Sequence, residues 1–376
     1  MKYFKILFVL FLSPLAVDSA EIRFSGFATI AGGITFDDDQ SLEGYDDNFS
    51  FNPKSKFALQ AVTDLGDGWG ITAQLLARGS ETWNIDAEWA FLSYDASDNW
   101  RLIIGRQRVP FYMYSDFLDV GYAYHWIEPP NGVYSLPFDL VDGVGSIYNS
   151  SLGSFDSTLH LTYGRNQDEV NLVGADREPD FWNLFSAAWT LNRDWLTLRA
   201  SYAQTELTVP IDDFDPLVGG WRAAGFPQVA DDILIVDDFG YFAGVGIIID
   251  YEDYLVVAEY TEVHPGDSVF PVQDSYYLSF GKRFDTLLVH LTYGADEDIS
   301  KSILGGVPSG VDPGLDFLIA STAGLFASQG EDSTFFTLGA RWEVSDSVAF
   351  KAEFTKYDDA LASDASLMQF ALSTVF

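Results

Sequence analysis

Residues 54–78 read KSKFALQAVTDLGDGWGITAQLLAR. In 54–63, Lys56, Ala58 and Gln60 fall on one face of an extended chain and Phe57, Leu59 and Ala61 on the other. In 69–78, Trp69, Ile71, Ala73 and Leu75 share a face, opposite Gly70, Thr72, Gln74 and Arg78. Period two marks strands with one apolar and one polar side, and the Asp64-Leu65-Gly66-Asp67-Gly68 run between them marks a tight turn. The unit is a β-hairpin.

The same rhythm runs outward from this hairpin in both directions. Sixteen segments of about ten residues alternate, from 21–31 to 366–376. Short Gly- and Asp-rich connectors such as 64–68, 95–99 and 151–153 alternate with long ones such as 32–52, 109–141, 205–238 and 294–332. Strict alternation of short and long is the expected asymmetry of a membrane barrel, with short turns at one rim and long loops at the other. Aromatics sit beside the short connectors, among them Trp69, Trp100, Trp189, Trp195, Tyr251, Phe284 and Trp342. The opposite strand face carries Ser25, Lys56, Gln60, Glu88, Arg199, Glu259, Lys351 and Glu353, which cannot form a dry core. The reading is all-β: a single transmembrane antiparallel barrel of 16 strands. Fourteen or 18 strands are the alternatives, with Ile233 to Val236 the first place to look for a further hairpin.

Composition narrows the function. The chain has 376 residues, with 56 Asp plus Glu against 20 Lys plus Arg and a formal charge of −36. Such a balance repels phosphate and excludes nucleic acid as a partner. An aromatic content of 16% excludes disorder despite the charge. Cysteine is absent, which removes disulfides, thiolate metal sites and Cys nucleophiles. Residues 1–20 have Lys2 and Lys5, an apolar run from Ile6 to Val17, and small residues at Ser19 and Ala20. This is the layout of a cleaved signal peptide, with the cut after Ser19 or Ala20. The remaining 21–376 form one barrel domain in the outer membrane.

The last strand, LMQFALSTVF, puts Met368, Phe370, Leu372, Thr374 and Phe376 on one face and ends on an aromatic. In this the chain resembles the Gram-negative outer-membrane porin superfamily, of the 16-stranded general diffusion type. The resemblance covers 21–376 in layout and makes Phe376 the barrel-closing C-terminal signal. It implies a passive diffusion channel for small hydrophilic solutes and ions. It also implies a homotrimer, contact with outer-membrane lipid and lipopolysaccharide, and insertion by the outer-membrane assembly machinery.

In such porins the third external loop folds into the lumen and narrows it. The matching connector here is 109–141, dense in aromatics, with the acids Asp116, Asp119, Glu128 and Asp139. The resemblance sets these against a basic wall, for which Lys54, Lys56, Arg78, Arg101, Arg106 and Arg108 are the candidates. A transverse field of that kind orients polar solutes. Arg106 and Arg108 share a face with Leu102 and Ile104, so a bulge or the loop's start must redirect them. The excess of acid predicts a preference for cations. No cofactor is implied. Acidic external loops, with Asp37, Asp38, Asp39, Asp46 and Asp47 in the first and Asp212, Asp213, Asp215, Asp231, Asp232, Asp237 and Asp238 in the fifth, are candidates to hold divalent cations.

Three other readings compete. A substrate-specific porin would use the aromatic third loop to stack sugars or oligosaccharides. An adhesin or receptor would use its long loops. A barrel hydrolase would need an exposed catalytic set, for which His160 and His290 at the lipid boundary are the candidates, but no motif of that chemistry surrounds either. No His pair has zinc-ligand spacing, and His125 on the third loop reads as a structural aromatic or a pH-sensitive charge.

Overall fold

The computed structural model describes residues 21–36, 40–172, 174–266, 269–299, 301–327, 332–359 and 364–376. The segment read as a signal peptide and Asp37, Asp38 and Asp39 lie outside these residues. Sixteen antiparallel strands close into one barrel. They are β1 (Ile22–Thr35), β2 (Lys56–Gly66), β3 (Trp69–Arg78), β4 (Ile85–Ser97), β5 (Trp100–Arg108), β6 (Leu140–Leu152), β7 (Phe155–Asn166) and β8 (Asp180–Arg193). Then follow β9 (Leu196–Val209), β10 (Ile235–Tyr251), β11 (Tyr254–His264), β12 (Val272–Phe284), β13 (Leu287–Ile299), β14 (Ser333–Ser345), β15 (Val348–Asp359) and β16 (Ala365–Val375). Each strand pairs with its sequence neighbours, and β1 closes on β16 with Phe27 opposite Val375.

The hairpin of residues 54–78 is β2–β3, with Gln60 opposite Gln74. Its turn needs left-handed backbone, supplied at Gly66, Asp67 and Gly68 with φ of 83°, 53° and 83°. Every connection at this rim is a two-residue turn, as the strand bounds show. At the other rim the connectors are long. One, between β7 and β8, carries a short hairpin, Val170–Leu172 with Ala175–Arg177. Another holds two helices, α1 (Asp215–Ala223) and α2 (Pro227–Asp231), and a third holds α3 (Pro313–Ala327). The segment around Ile233 adds no hairpin: Ile235 begins β10, which is 17 residues long.

Alternation sorts each strand. On β12, Tyr276, Leu278 and Phe280 are exposed while Ser275, Tyr277 and Ser279 are buried. The exposed set continues round the barrel in Leu291, Leu338, Phe354 and Leu372. A continuous apolar wall of this kind is stable in hydrocarbon and not in water. Exposed Trp69, Trp100, Trp189, Trp195, Tyr251, Tyr254 and Trp342 border it beside the turns. Toward the loops, Tyr202, Tyr260, Tyr276 and Tyr293 form a second row, with Tyr260 opposite Tyr276. The two rows are the girdles of an interfacial belt, and the barrel belongs in the bacterial outer membrane. Among the described residues no helix is long and apolar enough to cross a membrane, which says nothing against crossing by strands.

Phe376 stacks on Phe57 with ring centroids 6.1 Å apart. Its backbone N–H donates to the Gly26 carbonyl at 3.0 Å, and its carbonyl accepts from the Gly26 N–H at 2.8 Å. A side chain at 26 would strike the Phe376 ring, so glycine there is what lets the terminal aromatic lie over the seam.

Candidate functional site

The chain leaves β5 at Arg108 and re-enters the wall at Leu140, two residues earlier than the sequence suggested. The 31 residues between pass through the barrel interior, as their partners show. Met113 N–H donates to Glu259 at 2.7 Å, Trp126 Nε1 to Thr292 at 2.8 Å and Ile127 N–H to Glu353 at 2.9 Å. The Lys351 ammonium donates to the carbonyls of Gly121 and Trp126. Arg341 donates to the carbonyls of Tyr122 and Tyr124, each at 2.8 Å. These wall groups come from β11, β13, β14 and β15, on the faces that are buried while their neighbours are exposed. An inserted segment has many backbone groups that no sheet satisfies, and here inward charges satisfy them.

Apolar packing fixes the same segment. Phe111, Tyr112, Tyr114, Tyr124 and Trp126 are each no more than 5% exposed and join Phe242, Leu255, Val257 and Tyr277 of the wall. His125 stacks on Trp126 with centroids 3.7 Å apart and shares a 2.9 Å hydrogen bond with Ser279 Oγ. Burial, with His290, Lys351 and Arg341 nearby, pushes the His125 imidazole well below its ordinary value, so it packs as a neutral ring. These aromatics anchor the segment against the wall, and Trp126, Phe111 and Tyr124 also border cavities of the lumen.

Four of the six basic candidates gather with the loop acids. Asp119 is the hub: Arg108 Nη2 is 2.6 Å from Oδ2, Arg78 Nη2 3.3 Å from it, and Lys56 Nζ 3.4 Å from Oδ1. Lys56 also reaches Glu128 at 2.7 Å, and Arg108 reaches Asp139 at 3.2 Å. Lys54 pairs with Glu43 of the first external connector. Burial opposes the Asp119 charge, but Arg78, Arg108 and Lys56 outweigh it and hold the carboxyl well below the usual carboxylate range. Burial likewise opposes the Lys54 charge, and Glu43 and Glu128 outweigh it and raise the ammonium.

Arg106 and Arg101 are placed otherwise than the sequence expectation, whereas Arg108 is redirected as that expectation required. Arg106 keeps the outward parity of Leu102 and Ile104 and pairs with Asp142 at 3.1 Å and with Asp168, outside the lumen. Arg108 is turned inward because the strand ends on it, so pleat parity no longer binds its side chain. Arg101 points inward but lies at the turn end, bidentate on Asp95 with its shorter contact 2.6 Å. Asp116 also lies apart from the hub, 3.4 Å from Arg199. The hub's opposite charges are in direct contact and buried, so they do not face each other across open water as a transverse field requires. His160 and His290 also face inward rather than toward lipid: His290 is 1% exposed on the face of Thr292, and His160 lines a lumen cavity with Asp116.

Glu88, Glu259, Lys351 and Glu353, which the sequence places on the inward polar face without a role in the constriction, belong to the site. Glu88 lies 2.6 Å from Arg78 and 3.0 Å from Arg108. It is the extra residue of a bulge, since Gln74 pairs with Trp89 and Leu75 with Ala87. The bulge turns inward a residue that alternation would put outward. For the other three, a lone charge at mid-strand on the face opposite the leucines was the available signal.

The inserted segment leaves space on both sides. Toward the loops a cavity of about 550 Å³ is lined by Glu43, Glu128, Asp296 and Glu353 against one base, Lys54. Toward the turns lie cavities of about 500 and 360 Å³. The first carries Asp64, Asp67, Asp95 and Asp116 against Arg23, Arg101 and Arg108. The second carries Asp250, Asp285 and Glu343 against Arg283 and Arg341. Among the described residues no three His, Asp or Glu side chains converge as metal ligands.

No protein-family model and no curated protein sequence matches the chain. Solved structures do. OmpF of Salmonella typhi, in complex with daunomycin, has a TM-score of 0.59 at 12% identity, over 96% of this chain and 98% of that one. DcaP, an outer membrane channel of Acinetobacter baumannii, has 0.57 at 13% identity, over 95% and 97%. OmpT in its trimer form, an outer membrane protein of Vibrio cholerae, has 0.56 at 12% identity, over 96% and 100%. These likenesses concern the fold.

Proposed function

We propose that this chain, which has the 16-stranded barrel fold of the outer-membrane general diffusion porins, is a passive channel for small hydrophilic solutes with a preference for cations. The observation that carries the reading is the acid excess of all three polar cavities along the lumen: four carboxylates to one base, four to three, and three to two. Fixed charges of one sign around a water-filled constriction raise the local concentration of counter-ions and repel co-ions. The buried Asp119 hub supplies no net field of its own. Its proposed role is to clamp the inserted segment and so to set the width of the remaining passage. The work is geometry and field, without turnover chemistry. A homotrimer is part of the proposal and is supported by the trimeric form of a protein with the same fold.

The test is reconstitution in planar bilayers under a KCl gradient. The expected result is ohmic conductance with a reversal potential on the cation side. A closed barrel or an anion-side potential overturns the reading. Saturable block by a maltodextrin series supports a sugar-specific channel in its place.

A further inference from the structure

Round most of the barrel the inward face is polar, but in one sector it is not. On the loop side of the inserted segment, β8 turns Leu184 inward, β9 Leu207 and β11 Val263. Phe138 of the inserted segment stacks on Phe181, with centroids 4.0 Å apart and rings at 29°. These groups do not fill the space between them, and a cavity of about 290 Å³ remains. An apolar wall facing a water-filled lumen favours any solute that brings an apolar body to it. The volume suits one ring with a short chain.

This cavity adjoins the acidic one of about 550 Å³: Ser135 and Gln273 line both. Ser135 Oγ donates to Gln273 Oε1 at 2.6 Å, which fixes the boundary. Apolar surface and excess carboxylate therefore meet at one point in the lumen.

We propose that this junction is a binding site for amphipathic monocations, small primary amines that carry one aromatic ring or an alkyl group of similar size. The ring enters the apolar cavity and the ammonium reaches the carboxylate-lined one. The proposal rests on the cation-channel reading and names a solute class for it. Each half of the ligand meets only half of the site. Methylammonium has the charge without the ring. Phenylacetate has the ring with the opposite charge.

The experiment uses the full barrel in planar bilayers, with phenethylammonium, methylammonium or phenylacetate added on the side of the long loops. The expected result is saturable interruption of the current by phenethylammonium and by neither control. Leu207→Gln, which puts an amide into the cavity, weakens the block at least tenfold and leaves the reversal potential in place. Because a buried amide can impair folding, Leu207→Phe, which fills the cavity with an apolar ring, serves as the second variant and weakens the block to the same extent. Equal block by methylammonium, absence of block by phenethylammonium, or block unchanged in a folded variant overturns the proposal. A wild-type channel that is closed or anion-selective overturns instead the reading beneath it.

Discussion

Asp119 Oδ2 accepts a 2.6 Å hydrogen bond from Arg108 Nη2, between residues eleven apart in the chain. Arg108 is the last residue of β5. Its Nε lies 3.2 Å from Asp139, the last residue before β6, and its Nη2 lies 3.0 Å from Glu88 of the wall. One guanidinium thus ties together the entry, the interior and the exit of the inserted segment. Five N–H donors in a fixed fork make arginine suited to such a junction.

Removing the Asp119 charge leaves Arg108, Arg78 and Lys56 short of their shared partner. Asp119 is 4% exposed, so Asp119→Asn belongs with broken buried pairs, at a cost of about 3–5 kcal/mol. The loss falls on the docking of the segment, since the strand ladder is untouched. The expected outcome is a noisier open-channel current and a weaker cation preference, read in the same bilayer recording, with the barrel still heat-modifiable on a gel.

Acid acts on this pair in a defined direction. The folded-state pKa of Asp119 is depressed, so its pairing stabilises at every pH above the ordinary aspartate value of about 3.9 and is lost as pH falls below it. The Asp119 pairing therefore adds no current noise from pH 8 to 5 and adds it below about pH 4, read in a His125→Gln background that removes the neighbouring titration. In Asp119→Asn the noise is raised throughout. A rise centred between pH 6 and 7 that persists in His125→Gln contradicts this assignment.

His125 works in a different window. Its folded pKa is also depressed, because the ring is buried neutral. Below about pH 6.5 the unfolded chain binds a proton that the folded one refuses, so stability falls as pH falls through that value. His125→Gln keeps an amide for Ser279 and removes the titration. The unfolding temperature in detergent should drop between pH 7.5 and 5 in the wild type, and drop less in the variant.

Gly105 has φ of 130° on β5, and a Cβ there would strike the Ala90 carbonyl oxygen of β4. Gly105→Ala imposes strain and a backbone clash together, costing more than about 1 kcal/mol. Because β4 and β5 carry Glu88 and Arg108, the variant should lower both folding yield and cation preference, measured as the heat-modifiable fraction and the reversal potential.

Leu278 is 53% exposed on the lipid side and its neighbour Ser279 is 1% exposed on the lumen side. Leu278→Lys should cost about 2–4 kcal/mol in folding into lipid bilayers if the site lies at mid-depth, falling toward the interfaces. Equal stability of variant and wild type in vesicles would place this face away from hydrocarbon.

The barrel was legible because it is written as a period. In the hairpin of 54–78, each residue's side is decided by its parity, and structure and sequence agree at Thr72, Gln74, Ile71 and Leu75. The same parity held Arg106 outside, where the sequence reading had placed a pore residue. Strict parity breaks at Glu88 and Arg108, one displaced by a bulge and the other freed at a strand end, although the sequence reading has Glu88 on the inward face and requires Arg108 to be redirected. Both exceptions arise from how two strands meet, which neither strand records alone.

The sequence by itself determined the alternating faces, the short and long rims and the acid excess, and it pointed to 16 strands with 14 and 18 left open until the barrel closed. All of these follow from local periodicity, turn chemistry and composition. Only the tertiary structure decided that Asp119 sits on Arg108, that the loop aromatics anchor the segment against the wall, and that an apolar cavity opens beside an acidic one. The physical reason is that the inserted segment has no ladder of its own. Its path is selected by Glu259, Lys351 and Glu353, which lie more than a hundred residues further along the chain and come to it only when the barrel closes.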